Sequence, residues 1–109
     1  MFSRGVVASY KKIVMKGGYT DLRGGIEMLS MMLSTFYGAN IPEEDVLYVF
    51  CGRTAKKVKG LIRQKDRIML INLQLYANRV RWIRRTDDLI EITEEQLTKV
   101  LNGEPIEVS

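Results

Sequence analysis

Val46–Cys51, with the sequence VLYVFC, is the longest apolar run in the chain. Six residues rich in β-branched and aromatic side chains, bounded by an acidic loop and a glycine turn, read as one buried strand. They fall far short of the ~20 apolar residues that a bilayer-spanning helix requires. Any fold for this chain must therefore be built around that strand. At 109 residues the chain has the length of one domain, which buries roughly 65% of its unfolded surface without staples. We expect a single domain over 1–109, in which 1–19 form an edge strand or a flexible segment. Residues 86–109 form an acidic C-terminal segment with a helix.

The residues around the run extend the pattern. Val6–Ala8 and Ile13–Met15 can each seed a short strand ahead of a Gly17-Gly18 turn. Thr20 can N-cap a helix, with Asp21 in its first turn. Ile26, Leu29, Met32 or Leu33, and Phe36 follow at helical spacing, so the helix is placed at about 20–36. Gly24 and Gly25 within it suggest a close approach to its first turn. Met28, Met31 and Met32 read most simply as core. After Val46–Cys51, Gly52–Ala55 makes a turn and Lys56–Arg63 alternates, with Lys57, Lys59 and Leu61 on one face. Arg67–Tyr76 repeats the alternation as a third strand, with a short buried helix the alternative for so apolar a run, and Val80–Arg84 repeats it as a fourth. Thr93 with Gln96 forms a capping box, and Gly103 with Pro105 ends that helix. The expected fold is α+β: one long helix (about 20–36), an antiparallel meander of about four strands (46–84) and a short C-terminal helix (93–102).

Composition limits the chemistry. There is one Cys and no His, so no internal disulfide, no common zinc set and no Ser-His-Asp or Cys-His nucleophile can be assembled. No cofactor is expected, and Cys51 reads as a small buried hydrophobe. The single Cys, together with an N-terminus lacking an apolar signal region, points to a reduced, cytoplasmic protein without a membrane partner. Carboxylates such as Asp66 are numerous, but most lie in loops or in the tail. A metal-dependent nuclease is therefore the weakest functional reading.

Charge is informative through its distribution. The formal net charge is +4, yet residues 51–85 carry eleven basic groups against one acidic group, and residues 86–109 carry seven acidic groups against one basic. A basic middle beside an acidic tail hints at an anionic partner. The candidate nucleic-acid contacts are Arg53, Lys56, Lys57, Lys59, Arg63, Arg79, Arg81, Arg84 and Arg85, with Lys65 and Arg67 nearby. If the faces bearing Lys57 and Lys59 and bearing Arg79 and Arg81 coincide, they form one cationic surface, on which a neighbouring Tyr or Trp stacks on bases. The opposing reading is a solvated face balanced by the acidic tail. Thr20, Asp21 and Arg23 form a second candidate, either a partner contact or a cap with an internal ion pair, to Arg53 for example.

The order of short motifs resembles a known family. Thr20–Leu29 (TDLRGGIEML) is similar to the T-D-M-R-K-G-F-D-G-L signature of the small accessory protein of bacterial insertion sequence family sixty-six. That protein is the TnpB-type product of the second open reading frame. Leu47–Arg53 resembles its L-F-V-F-x-G/N-R, Lys57–Lys59 its R-V-K, and Arg79–Trp82 its G-R-F-x-W. Ile92–Leu97 and Leu101–Gly103 resemble its L-T-x-x-Q-L…L-x-x-G. Ile62–Arg67 departs from the family's W-W-D-G-x-G and supplies Arg63, Lys65 and Arg67 there. The resemblance implies a non-catalytic accessory of transposition that works beside a large transposase. DNA and that transposase are its expected partners, reached through a basic sheet surface. The alternative is a protein–protein adaptor that docks on the transposase through the 20–36 helix or a sheet edge without touching DNA.

Overall fold

The computed structural model describes residues 10–84 and 88–108. The expected strand over Val6–Ala8 and the candidate Arg85 lie outside them. Seven elements follow in chain order: β1 (Lys12–Tyr19), α1 (Gly25–Tyr37), β2 (Val46–Cys51), β3 (Lys57–Arg63), β4 (Ile68–Gln74), β5 (Leu89–Ile92) and α2 (Glu94–Leu101). The strands form one sheet in the order β4-β3-β2-β1-β5. β1 and β2 are parallel, while the other neighbours are antiparallel.

β2 explains the architecture. Its six residues are all buried because it is the central strand and both of its faces are covered. Leu47, Val49 and Cys51 join a core with Ile13, Met15, Val58 and Ile62 beneath α2. Val46, Tyr48 and Phe50 join a second core with Val14 and Leu61 beneath Leu29 and Leu33 of α1. Alternation along each strand thus feeds two cores, one under each helix.

The expected four-stranded antiparallel meander is incorrect, and so is the long helix. Only β2, β3 and β4 form a meander, within a mixed sheet of five strands. β1 is an interior strand, with β2 on one side and β5 on the other. Gly17 and Gly18 do not turn the chain. They lie inside β1, where the β1–β2 register shifts between Met15 and Tyr19 and Gly18 adopts a φ of 71°. This bulge leaves the Gly17 and Gly18 N–H groups to donate to the carbonyls of Asp88 and Ile83, both at 2.8 Å.

Val80–Arg84 keeps its alternation but pairs with no strand. Val80 N–H donates to Ala55 O and Arg81 N–H to Val100 O, while the buried Trp82 Nε1 donates to Lys16 O at 2.8 Å. Its hydrogen bonds go to a turn, a helix end and one strand carbonyl, so it is an extended connector. The remaining strand is Leu89–Ile92, inside the segment whose acidic character marked it as tail.

α1 begins five residues later than expected. Gly25 has a φ of 70°, which interrupts any helix arriving from Thr20, and Gly24 is the N-cap residue, without a side-chain cap. A Cβ on Gly24 would stand 2.2 Å from Met28 Cγ, so the close approach at the first turn comes from the helix's own Met28. Met28, Met31 and Phe36, expected in the core, are 56%, 61% and 74% exposed. α2 has the expected capping box: Gln96 N–H donates to Thr93 Oγ1 at 3.0 Å and Thr93 N–H to Gln96 Oε1 at 2.9 Å. No helix among the described residues is long and apolar enough to cross a membrane.

Candidate nucleic-acid interface

Parallel strands place their C-terminal ends at the same edge of a sheet. β1 ends at Tyr19 and β2 at Cys51, with Thr20 N–H donating to Cys51 O at 2.8 Å. β3 runs back from a tight turn in which Ala55 N–H donates to Gly52 O and Gly52 N–H to Lys57 O. That turn lifts Arg53 and Thr54 off the end of the sheet. The Arg79–Arg84 connector is tied to the same end through its bonds to Ala55 and Gly18. Hence Arg23, Arg53, Lys56, Lys57, Arg79, Arg81 and Arg84, drawn from three stretches of chain, surround one end of the β1–β2 pair. This is the end at which open α/β sheets generally bind ligands.

The cations do not share a single sheet face. Lys57 and Lys59 stand on the α1 side with Leu61, and Lys59 Nζ donates to Leu22 O at 2.7 Å. The connector lies on the other side, where Val80 and Trp82 enter the α2 core. The basic groups therefore wrap around an end instead of lying across a face. Arg63 is not among them. It lies at the other end of β3, six residues or about 20 Å from Lys57, where Arg63 Nη1 donates to Pro42 O at 3.1 Å. Acidic groups populate that far end: Glu43 faces Lys11 and Lys12 at 3.6 and 3.8 Å, and Asp66 is paired with Arg67 at 3.0 Å. Among the described residues, Arg53, Lys57, Arg79 and Arg81 have neither an ion pair nor a side-chain hydrogen bond.

Two pockets divide the basic end. One, of about 620 Å³, is lined by Arg23, Arg53, Lys57 and Lys59 together with Asp21 and Gly52. The other, of about 560 Å³, runs beside Tyr19, Arg79, Arg81 and Arg84. Asp21 accepts from Arg23 three times: from the backbone N–H at 3.1 Å, from Nε at 3.0 Å and from Nη2 at 2.9 Å. These bonds hold its carboxyl down at about 2, with a smaller contribution from the charge of Arg53. The direct partner of Asp21 is therefore Arg23, and Arg53 acts on it only through its field. The Thr20 hydroxyl is buried, without a hydrogen-bond partner among the described residues, and caps nothing.

The aromatic contribution differs from expectation. Trp82 is buried and committed to Lys16 O. The ring free to stack is Tyr76, 91% exposed and two residues beyond Gln74, the register partner of Lys57. Tyr19 is half-exposed beside the three connector arginines. Tyr19 closes β1 and Tyr76 follows β4, and both strands end here, a relation visible only once the strand order is known. Among the described residues no three Cys, Asp or Glu side chains stand close enough to hold a metal ion together.

Comparison with known proteins returns one family. The family model described as IS66 Orf2 like protein matches residues 11–109. No curated protein and no solved structure matches the chain. The matched span takes in both strands of the parallel pair, the basic end and α2, which is the whole fold described above. The chain belongs to the IS66 Orf2-like family of insertion-sequence accessory proteins.

Proposed function

We propose that this accessory protein of transposition binds nucleic acid, without catalysing a reaction on it, through the basic end of its sheet. The observation that carries the reading is the convergence of Arg53, Lys57, Arg79 and Arg81. These unpaired cations come from separate chain segments, while at the far end of the sheet Lys11 and Lys12 pair with Glu43 and Arg67 with Asp66. Unpaired cations on a shaped surface exchange condensed counterions for phosphates, so affinity should fall with salt. Fluorescence anisotropy with duplex and single-stranded DNA tests it. We expect binding at low salt that weakens steeply as salt rises, and a loss of about tenfold or more for Arg79→Glu with Arg81→Glu. No binding at low salt overturns the reading, as does tight binding indifferent to salt.

One observation favours a second reading, an adaptor that docks on the large transposase. Met28, Met31 and Phe36 are large apolar side chains exposed on α1, and exposed apolar patches mark protein contacts. Met31→Lys with Phe36→Lys should abolish capture of the element's transposase while leaving DNA binding intact. Unchanged capture argues against the adaptor.

A further inference from the structure

We infer that the pocket between the Thr20–Arg23 turn and the Gly52–Lys57 turn binds a nucleotide phosphomonoester, the charged end of a strand in preference to its interior. The inference rests on the nucleic-acid reading above and narrows it to one site. The wall carries Arg23, Arg53, Lys57 and Lys59 against the single carboxylate of Asp21. Arg23 is spent on Asp21, which leaves Arg53, Lys57 and the partly engaged Lys59 facing the space. Three positive charges exceed what one internal phosphodiester neutralises and suit a terminal phosphate, which carries nearly two negative charges near neutral pH.

Size points the same way. The depression of about 620 Å³ is open to solvent and is wider than a phosphate group alone fills. A phosphate seated on Arg53 and Lys57 therefore leaves room for its nucleoside. The carboxylate in the wall has one spare lone-pair site, on Oδ2, beyond the three bonds from Arg23 and can accept from a sugar hydroxyl or a base amino group. That group would repel a bare anion but suits a nucleotide. Gly52 completes the floor: a Cβ there would meet Leu22 Cδ1 at 3.1 Å, so the Leu22 side chain of one turn packs directly on the bare Gly52 backbone of the other. The basic groups of the other pocket, on the connector, have no comparable acceptor in their lining, which fits a track for internal phosphates.

The test uses the full chain and 3′-labelled oligonucleotides of one sequence in three forms: 5′-phosphorylated, 5′-hydroxyl, and 5′-hydroxyl with two extra nucleotides, whose phosphodiesters match the added charge. The inference predicts about tenfold tighter binding of the phosphorylated strand than of either control, from charge-assisted hydrogen bonds at the end. Arg53→Gln with Lys57→Gln should weaken all three strands and erase that preference. Arg79→Gln with Arg81→Gln should weaken all three strands alike and keep the preference. Equal binding of the three strands overturns the inference while the nucleic-acid reading stands. Binding of none at low salt overturns both, unless a deoxynucleotide 5′-monophosphate still binds by calorimetry. In that case the pocket serves free nucleotides and only the nucleic-acid reading falls.

Discussion

At the scale of single residues, the site depends on groups whose partners are already fixed. Asp21 is an ionised acceptor because Arg23 holds it from three donors. Its carboxyl is depressed to about 2, so the Asp21–Arg23 turn persists above the ordinary carboxylate range and is lost only as pH falls through about 2. The chain has no His, so affinity for 5′-hydroxyl DNA, which lacks a titrating end phosphate, should stay flat between pH 5 and pH 8; a step in that window in an anisotropy titration contradicts this assignment. Cys51 behaves oppositely. Burial raises its thiol from 9.0 to about 12, so the folded state favours the neutral form. That stabilisation is complete below pH 9 and is lost as pH rises through about 12. The native thiol should resist a disulfide reagent at pH 8 and react at the rate of global unfolding; rapid labelling of folded protein would contradict its burial. Cys51 was legible as a buried hydrophobe within VLYVFC. The contact between Asp21 and Arg23, two residues apart, was not, because sequence offered Arg53 as an equal partner and only the turn geometry decides.

At the scale of elements, what was legible followed from local chemistry, and what failed depended on pairing. β2 and the capped α2 lie where VLYVFC and the Thr93–Gln96 box place them, since a buried apolar run and a side-chain cap each act within a few residues. Replacing Thr93 with Ala should cost about 1 kcal/mol and lower the melting temperature by several degrees; an unchanged melting curve would mean that the cap bears no load. Trp82 is a sharper test. Removing its N–H with Phe leaves Lys16 O without that donor in a buried place, at a cost of about 1–3 kcal/mol, read in urea unfolding. Val80–Arg84 misled because alternation of buried and exposed residues marks an extended chain with one side buried, whether or not a strand lies beside it. Gly17-Gly18 misled because a glycine pair serves a bulge as well as a turn. β5 was hidden because Glu91 faces outward from a strand whose Ile90 and Ile92 pack on the α2 side.

At the scale of the whole molecule, the parallel β1–β2 pair is the fact that no local pattern announced. Once it forms, the C-terminal ends of two strands, the β2–β3 turn and the Arg79–Arg84 connector meet at one end. Segments separated by some thirty residues then supply one cationic rim. The basic segment 51–85 was visible as a charge count, but its folded layout divides it: Arg63, Lys65 and Arg67 go to the far end with Glu43 and Asp66, and the other basic groups among the described residues of the segment gather at the near end. The net charge of +4 therefore conceals an uneven layout: unpaired cations gather at one end, while acidic groups pair with Lys11, Lys12 and Arg67 at the other. If about four phosphates are neutralised at the rim, the logarithm of the binding constant should fall against the logarithm of salt with a slope near −4. Charge reversal at Arg63 and Arg67 should leave that slope unchanged.

The most direct test of the end-on binding surface is an amide NMR titration of the labelled protein with a short DNA at low salt. The rim predicts that shifts concentrate in Tyr19–Arg23, Gly52–Lys57 and Tyr76–Arg84. The amides of Lys11, Glu43–Asp45 and Gln64–Arg67 should stay in place. Shifts centred on Gln64–Arg67, or spread evenly over both ends, would contradict it.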